Sequence, residues 1–149
     1  MRPVIFLRIA SVLTLIHAVL HTLGGVFGAM PPAALAIVAA MKANAFPAMG
    51  VMRTMWDFHM GLGLVVSVAL TMEGIVFWQL GTLAKSEPFR LRPILTTFLV
   101  GYLCIPVISC RYFFAGPMIT EILIALCLLI AIVGAKQMAE EGVGSRVVA

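Results

Sequence analysis

Charge is what this 149-residue chain has least of: Asp, Glu, Lys and Arg make up 11% of it, where a soluble domain carries about a quarter. One aspartate, Asp57, and five glutamates are the whole acidic complement. The ten basic residues are scattered among loop ends, so the net charge of +4 argues for an orientation signal and against a nucleic-acid footprint. Cysteine is also sparse. Cys104, Cys110 and Cys127 form no CxxC and no CxxCH. That argues against a disulfide framework and against c-type haem, and leaves them as small fillers of helix interfaces. HExxH, a phosphate-binding glycine loop, nucleophile-and-base spacings, repeats and linkers are all missing.

What is abundant is apolar surface, 62% of residues with a mean hydropathy of +1.12. Lipid is the solvent that suits such a chain. The pattern organises itself around MWDFHMGLGLVVSVALTMEGIVFWQL, in which Trp56 and Trp78 stand 22 residues apart. On a helix that is roughly 33 Å, close to the thickness of a hydrocarbon core with an indole at each boundary.

The sequence therefore predicts an all-α fold: a single membrane domain, a four-helix bundle with spans at about 6–28, 56–83, 92–112 and 117–137. The first run is too long, and Phe27 too bulky before its end, for a cleaved leader, so it reads as a retained helix. Gly24 and Gly28, four apart, mark a face for close helix approach. Pro31-Pro32 starts a short interfacial helix that Phe46-Pro47 ends. Pro106 kinks the third span, Ala115-Gly116-Pro117 makes the following turn, and a polar tail, EEGVGSRVVA, closes the chain.

The polar residues within the spans have structural readings and functional ones. Arg53 with Asp57, and Arg111 with Glu121, are spaced to form ion pairs; Glu121 also sits near a helix start. Glu73 is within reach of a snorkelling Arg8 or a turn arginine. His17 and His21 project from one face of the first span, and His59 and Glu73 share a face of the second with Gly63, Val66 and Leu70. If those faces meet, His17, His21, Trp56, Asp57, His59 and Glu73 line a polar seam in the outer half of the bundle. The seam suits an apolar or redox-active small molecule such as a quinone, a b-type haem, or a divalent metal on the HAVLH pair; equally, its histidines can serve only to bond helices together. Copper on the scattered methionines, Met49, Met52, Met55 and Met60 among them, fits less well than methionine as gap-filler.

The segments LRIASVLTLIHAVLHTLG, AMKANAFPAMGVMRTMWDFHMGLGLVVSV and FWQLGTLAK, followed by a basic turn and RPI, resemble a family of short bacterial four-helix membrane proteins, with RTMWDF the most specific part. The chain is similar to DoxX-like proteins in length and span number only. The resemblance implies a stand-alone inner-membrane protein and transfers no catalytic residue, cofactor or metal. The partners expected are the lipid bilayer, a lipid-soluble small molecule, and further copies or other subunits, with no nucleic acid.

Four spans put both termini and the turn near Ser86 on one side with Arg2, Arg8, Lys85, Arg90, Arg92, Lys136 and Arg146, against Lys42, Arg53 and Arg111 on the other. The positive-inside rule makes the first side cytoplasmic. Reporter fusions at Ser86 and Ala149 are expected to read cytoplasm and one at Asn44 outside; an outside signal at Ser86 breaks the four-span scheme.

Overall fold

The computed structural model describes the backbone of residues 3–147 and the side chains of 3–137. It is a four-helix bundle in which four stretches, Pro3–Val26, Met55–Leu83, Phe89–Tyr112 and Ala115–Gln137, are long and apolar enough to cross a membrane. The helices are α1 (Pro3–Leu20), α2 (Leu35–Ala43), α3 (Met55–Leu83), α4 (Arg92–Tyr112) and α5 (Ala115–Val147). The chain divides into two compact units, one made of the stretches ending at His17 and starting at Thr71, the other of Ala18–Leu70.

The first unit is built on four helical segments with a continuous apolar interior. On α1, Leu7, Ala10, Ser11 and Thr14 are fully buried, and on α5 Ile124, Leu128, Ala131 and Ala135 repeat at helical spacing. Phe77 of α3 is fully buried and meets Phe98 edge-on at 4.9 Å between centroids. Helices α1 and α3 approach closely because α3 presents glycines. A β-carbon on Gly74 would stand 2.7 Å from Leu15, and one on Gly81 3.3 Å from Arg8. The same approach lets the Ser11 hydroxyl donate to the Gly74 carbonyl at 2.6 Å. Outward faces carry large apolar side chains such as Ile9, Ile16, Met72 and Val100, the surface a lipid-facing helix needs.

Pro106 stands inside α4, which continues through it. The turn expected at Ala115-Gly116-Pro117 is instead the first turn of α5; the reversal is confined to Phe113-Phe114, where Phe113 turns extended (φ −124°, ψ −155°). Proline is at home in a first helical turn, whose N–H groups have no partner to lose. Helix α5 also runs on to Val147, so the segment expected as a polar tail is helical there. Cys104 and Cys110, expected as interface fillers, are exposed, and Cys127 is half-buried.

The second unit departs most from expectation. The end of the first span is a π-helical turn, His21–Val26, with Phe27 N–H bonding the Thr22 carbonyl at 3.0 Å. Gly24 lies in this turn and Gly28 in the bend just after it, and they do not mark a helix contact: a β-carbon on Gly24 would meet nothing, and one on Gly28 would collide with the Gly24 carbonyl. Pro31-Pro32 opens a 3-10 turn leading into α2, as expected, and Asn44 ends it by donating from Nδ2 to the Ala40 carbonyl at 2.8 Å. Then comes a hairpin that the sequence reading lacks. Strands β1 (Ala45–Ala48) and β2 (Val51–Thr54) pair antiparallel through Met49-Gly50. Both loop residues have positive φ (48° and 89°), the two-residue turn whose twist matches paired strands.

The glycines that set helix approach are thus on α3. Gly74→Leu is expected to overpack against Leu15 and destabilise the protein by about 1–3 kcal/mol. Gly24→Leu, with open space around it, is expected to leave the melting temperature in detergent unchanged. Equal melting temperatures for the two variants would contradict this assignment.

Candidate functional site

Helix α3 starts at the hairpin, and Asp57 fixes the junction. Its Oδ2 accepts from the Thr54 backbone N–H at 2.7 Å and from the Thr54 hydroxyl at 3.0 Å, while the Asp57 N–H donates back to Thr54 Oγ1 at 3.1 Å. This reciprocal pair is a capping box written T-x-x-D, and it satisfies two N–H groups that the helix start would otherwise leave unbonded. The expected Arg53–Asp57 ion pair does not form, because the carboxylate is already used; the Arg53 guanidinium turns to the Met52 carbonyl at 2.9 Å.

On the first turn of α3 the Trp56 indole meets two groups. The Lys42 ammonium of α2 sits 4.6 Å from its ring centroid, and the His59 imidazole is 5.2 Å away and tilted by 33°. Phe46 of β1 stacks on Phe58 at 5.9 Å with rings nearly parallel. Together these ring contacts tie α2 and the hairpin to the start of α3. Cation–π contacts of this kind contribute about 0.5–1 kcal/mol where exposed. Trp56 is half-buried, whereas Asp57 and His59 are exposed. No hydrogen-bond partner meets either ring nitrogen of His59 among the described residues.

His21 takes a different part. Its Nε2 lies 3.1 Å from the Gly63 carbonyl, which can only accept, so the ring carries its proton on Nε2. The same carbonyl accepts the Ser67 hydroxyl at 3.1 Å, and Thr22 Oγ1 lies 2.9 Å from Ser67 Oγ and 2.7 Å from the Ala18 carbonyl. Glycine at 63 permits this, since a β-carbon there would stand 2.9 Å from Val26. His59, expected on the same inward face as Gly63, is exposed, so Gly63 and His21 share a polar contact that His59 does not close. Of the expected seam, the second unit therefore brings together Trp56 and His59, with Asp57 capping the same helix turn, and uses His21 as a bond between backbone segments.

The remaining two residues lie in the first unit. His17 is half-buried on α1. Glu73 is half-buried and accepts the Tyr102 hydroxyl at 2.7 Å, in place of the arginine expected there. Arg8 is engaged elsewhere, its guanidinium 3.6 Å over the Trp78 ring and its Nη2 2.8 Å from Thr82 Oγ1. The Arg111–Glu121 pair is also absent. Glu121, seventh in α5 and past its first turn, accepts the Ser109 hydroxyl at 2.8 Å, and Arg111 stacks on Tyr112. An ion pair does form between Arg90 and Glu87, at 3.0 Å in the turn before α4.

Haem ligation through His21 would compete with its bond to Gly63, and no three His, Cys, Asp or Glu side chains cluster to hold a metal among the described residues. The sequence reading missed Lys42, Tyr102 and Ser109 as partners. Their signal was unreadable because each acts on a residue 12 or more positions away. The T-x-x-D cap was missed too, with Asp57 assigned to Arg53, although its spacing is a local motif that could have shown it.

Asp57→Ala is expected to lower stability by about 1 kcal/mol through the lost cap, and Thr54→Ala by a similar amount with little further loss in the double variant. Denaturation in mild detergent measures the three; additive losses would mean the two residues act separately. Comparison with protein-family models, with curated proteins and with solved structures finds no match for this chain.

Proposed function

We propose that this chain is a multi-pass protein of a bacterial inner membrane, with both termini cytoplasmic, that binds an apolar, hydrogen-bond-accepting small molecule of the quinone type. The second unit supplies the platform. Its Trp56 ring offers a stacking face, His59 and Lys42 offer donors, and Asp57 holds the first turn of α3 rigid beneath them. The observation that carries this reading is His59: an exposed imidazole without a hydrogen-bond partner among the described residues, packed against an aromatic ring at the start of an apolar span. Intramembrane and boundary ionisable groups without structural partners are the ones that mark ligand contacts. The resemblance to short bacterial four-helix proteins and the excess of Lys and Arg on one side agree with the proposed membrane and orientation.

A second reading is supported by His21. Its imidazole is used to bond the Gly63 carbonyl, as a helix-packing residue would be, and a subunit that only assembles with other proteins needs no more.

A variant with Trp78→Phe keeps Trp56 as the one fluorophore of its type. Titration with a short-chain benzoquinone in lipid nanodiscs is expected to quench it saturably, and His59→Ala is expected to weaken binding at least about tenfold, or 1.4 kcal/mol. Quenching that stays linear with quinone and ignores His59→Ala removes the binding reading and leaves the assembly one.

A further inference from the structure

Two carboxyls in the first unit lie within membrane-spanning helices and take hydroxyls as their hydrogen-bond partners. Glu121 is 5% exposed; Ser109, itself 3% exposed, bonds its Oε1, and its Oε2 is buried with no partner at all. Glu73 accepts the hydroxyl of Tyr102, which is 2% exposed. The arginines of this unit's spans make their contacts elsewhere, Arg8 with Thr82 and Trp78, Arg111 with Tyr112 and Arg92 with the Phe89 ring, although Arg8 Nη1 and Arg92 Nε are themselves buried without a hydrogen-bond partner. Hydrocarbon tolerates such groups only when something neutralises them, and side chains of this sort in spans recur in proton relays.

Both hydroxyl partners sit on α4. Tyr102 and Ser109 are seven residues apart, hence on one face and roughly 10 Å apart along the axis. Between them Pro106 has no N–H to give, so the Tyr102 carbonyl cannot receive its i+4 helical bond and stays available as an acceptor on the same stretch. Buried polar groups thus follow α4 from Glu121 and Ser109, past a freed carbonyl, to Tyr102 and Glu73. Other titratable groups that this unit buries at least partly within its spans are Arg8 and His17 on α1, Arg92 on α4 and Cys127 on α5.

We propose that Glu121 and Glu73 are successive proton-binding stations along the buried face of α4, and that the first unit carries protons through the membrane interior. The ligand is the proton. A multivalent metal needs several donors converging, and no such group exists among the described residues, whereas one unpartnered carboxylate oxygen suffices for a proton. In the transfer step a proton from Glu121 reaches the Tyr102 oxygen through bridging water as the tyrosine's own proton passes to Glu73 Oε2. One proton moves, Glu121 is left deprotonated and Glu73 protonated, and Tyr102 ends neutral and unoxidised.

The test is proton flux into proteoliposomes that trap a pH-sensitive dye, driven by a potassium diffusion potential. Flux severalfold above protein-free vesicles is expected for the unaltered chain. Glu121→Gln, Glu73→Gln and Tyr102→Phe are each expected to bring it down to the protein-free level, and Glu87→Gln, in the exposed turn, to leave it unchanged. Infrared difference spectra between pH 5 and pH 9 are expected to show a protonated-carboxyl band that Glu121→Gln diminishes. Unaltered protein no leakier than empty vesicles, or flux undiminished in Glu121→Gln, overturns the proposal. Should Glu121→Gln not fold, Ser109→Ala and Tyr102→Phe decide in its place: full flux in both overturns it.

Discussion

A polar atom inside hydrocarbon has no water to fall back on, so an unmet one is costly and a partner within the chain is the usual remedy. The solution adopted here is short-range and mostly neutral. Ser11 bonds the Gly74 carbonyl, His21 and Ser67 bond the Gly63 carbonyl, Tyr102 bonds Glu73 and Ser109 bonds Glu121. Backbone carbonyls as acceptors demand that helices come close, and that in turn demands glycine where they meet. Gly63 and Gly74 each serve twice, as the place without a side chain and as the donor of the carbonyl. Removing the glycine would therefore remove the hydrogen bond as well, which is why the packing and the polar bonding in these spans are one constraint and not two.

Cations follow the same economy of partners. Each tryptophan of α3 has a basic group over its ring from another element of its own unit, Lys42 over Trp56 and Arg8 over Trp78. A flexible ammonium or guanidinium placed on an indole keeps its stem against apolar surface while its charge faces π density, an arrangement suited to a boundary region.

The architecture was legible in the sequence because span length and apolar content are one-dimensional quantities. All four helices fall where hydropathy puts them, and Pro31-Pro32 marks the start of the short helix. Partners were not legible. Spacing of i, i+4 between Arg53 and Asp57 permits an ion pair, yet the carboxylate meets the helix's own N-terminal N–H first, a nearer and better-aligned donor. The pair Gly24 and Gly28 has the small-xxx-small form of a helix contact, but the same absence of side chains also suits a π turn, and the local backbone took that use. The hairpin escaped notice because its turn is Met49-Gly50, with a methionine at positive φ where Asn or Asp would announce the turn, and because Pro47 interrupts the first strand.

That distinction bears on how the candidate residues divide. Sequence alone grouped six side chains by helix face and depth, treating polarity in a span as one property. Bonding separates them into two kinds. His21 and Asp57 are committed to structure: the bonds they make join backbone segments in the one case and start a helix in the other. His59 is incomplete, with both ring nitrogens unmet, and so, outside the six, is Glu121, with a buried oxygen unmet. In a solvent that charges several kcal/mol for an unsatisfied group, incompleteness is the property that has to be accounted for. An exposed imidazole can meet something arriving from outside the protein, while a buried carboxylate oxygen can meet only something as small as a proton or a water. The size of what each can reach, set by burial, is what assigns a small molecule to the one and a proton to the other.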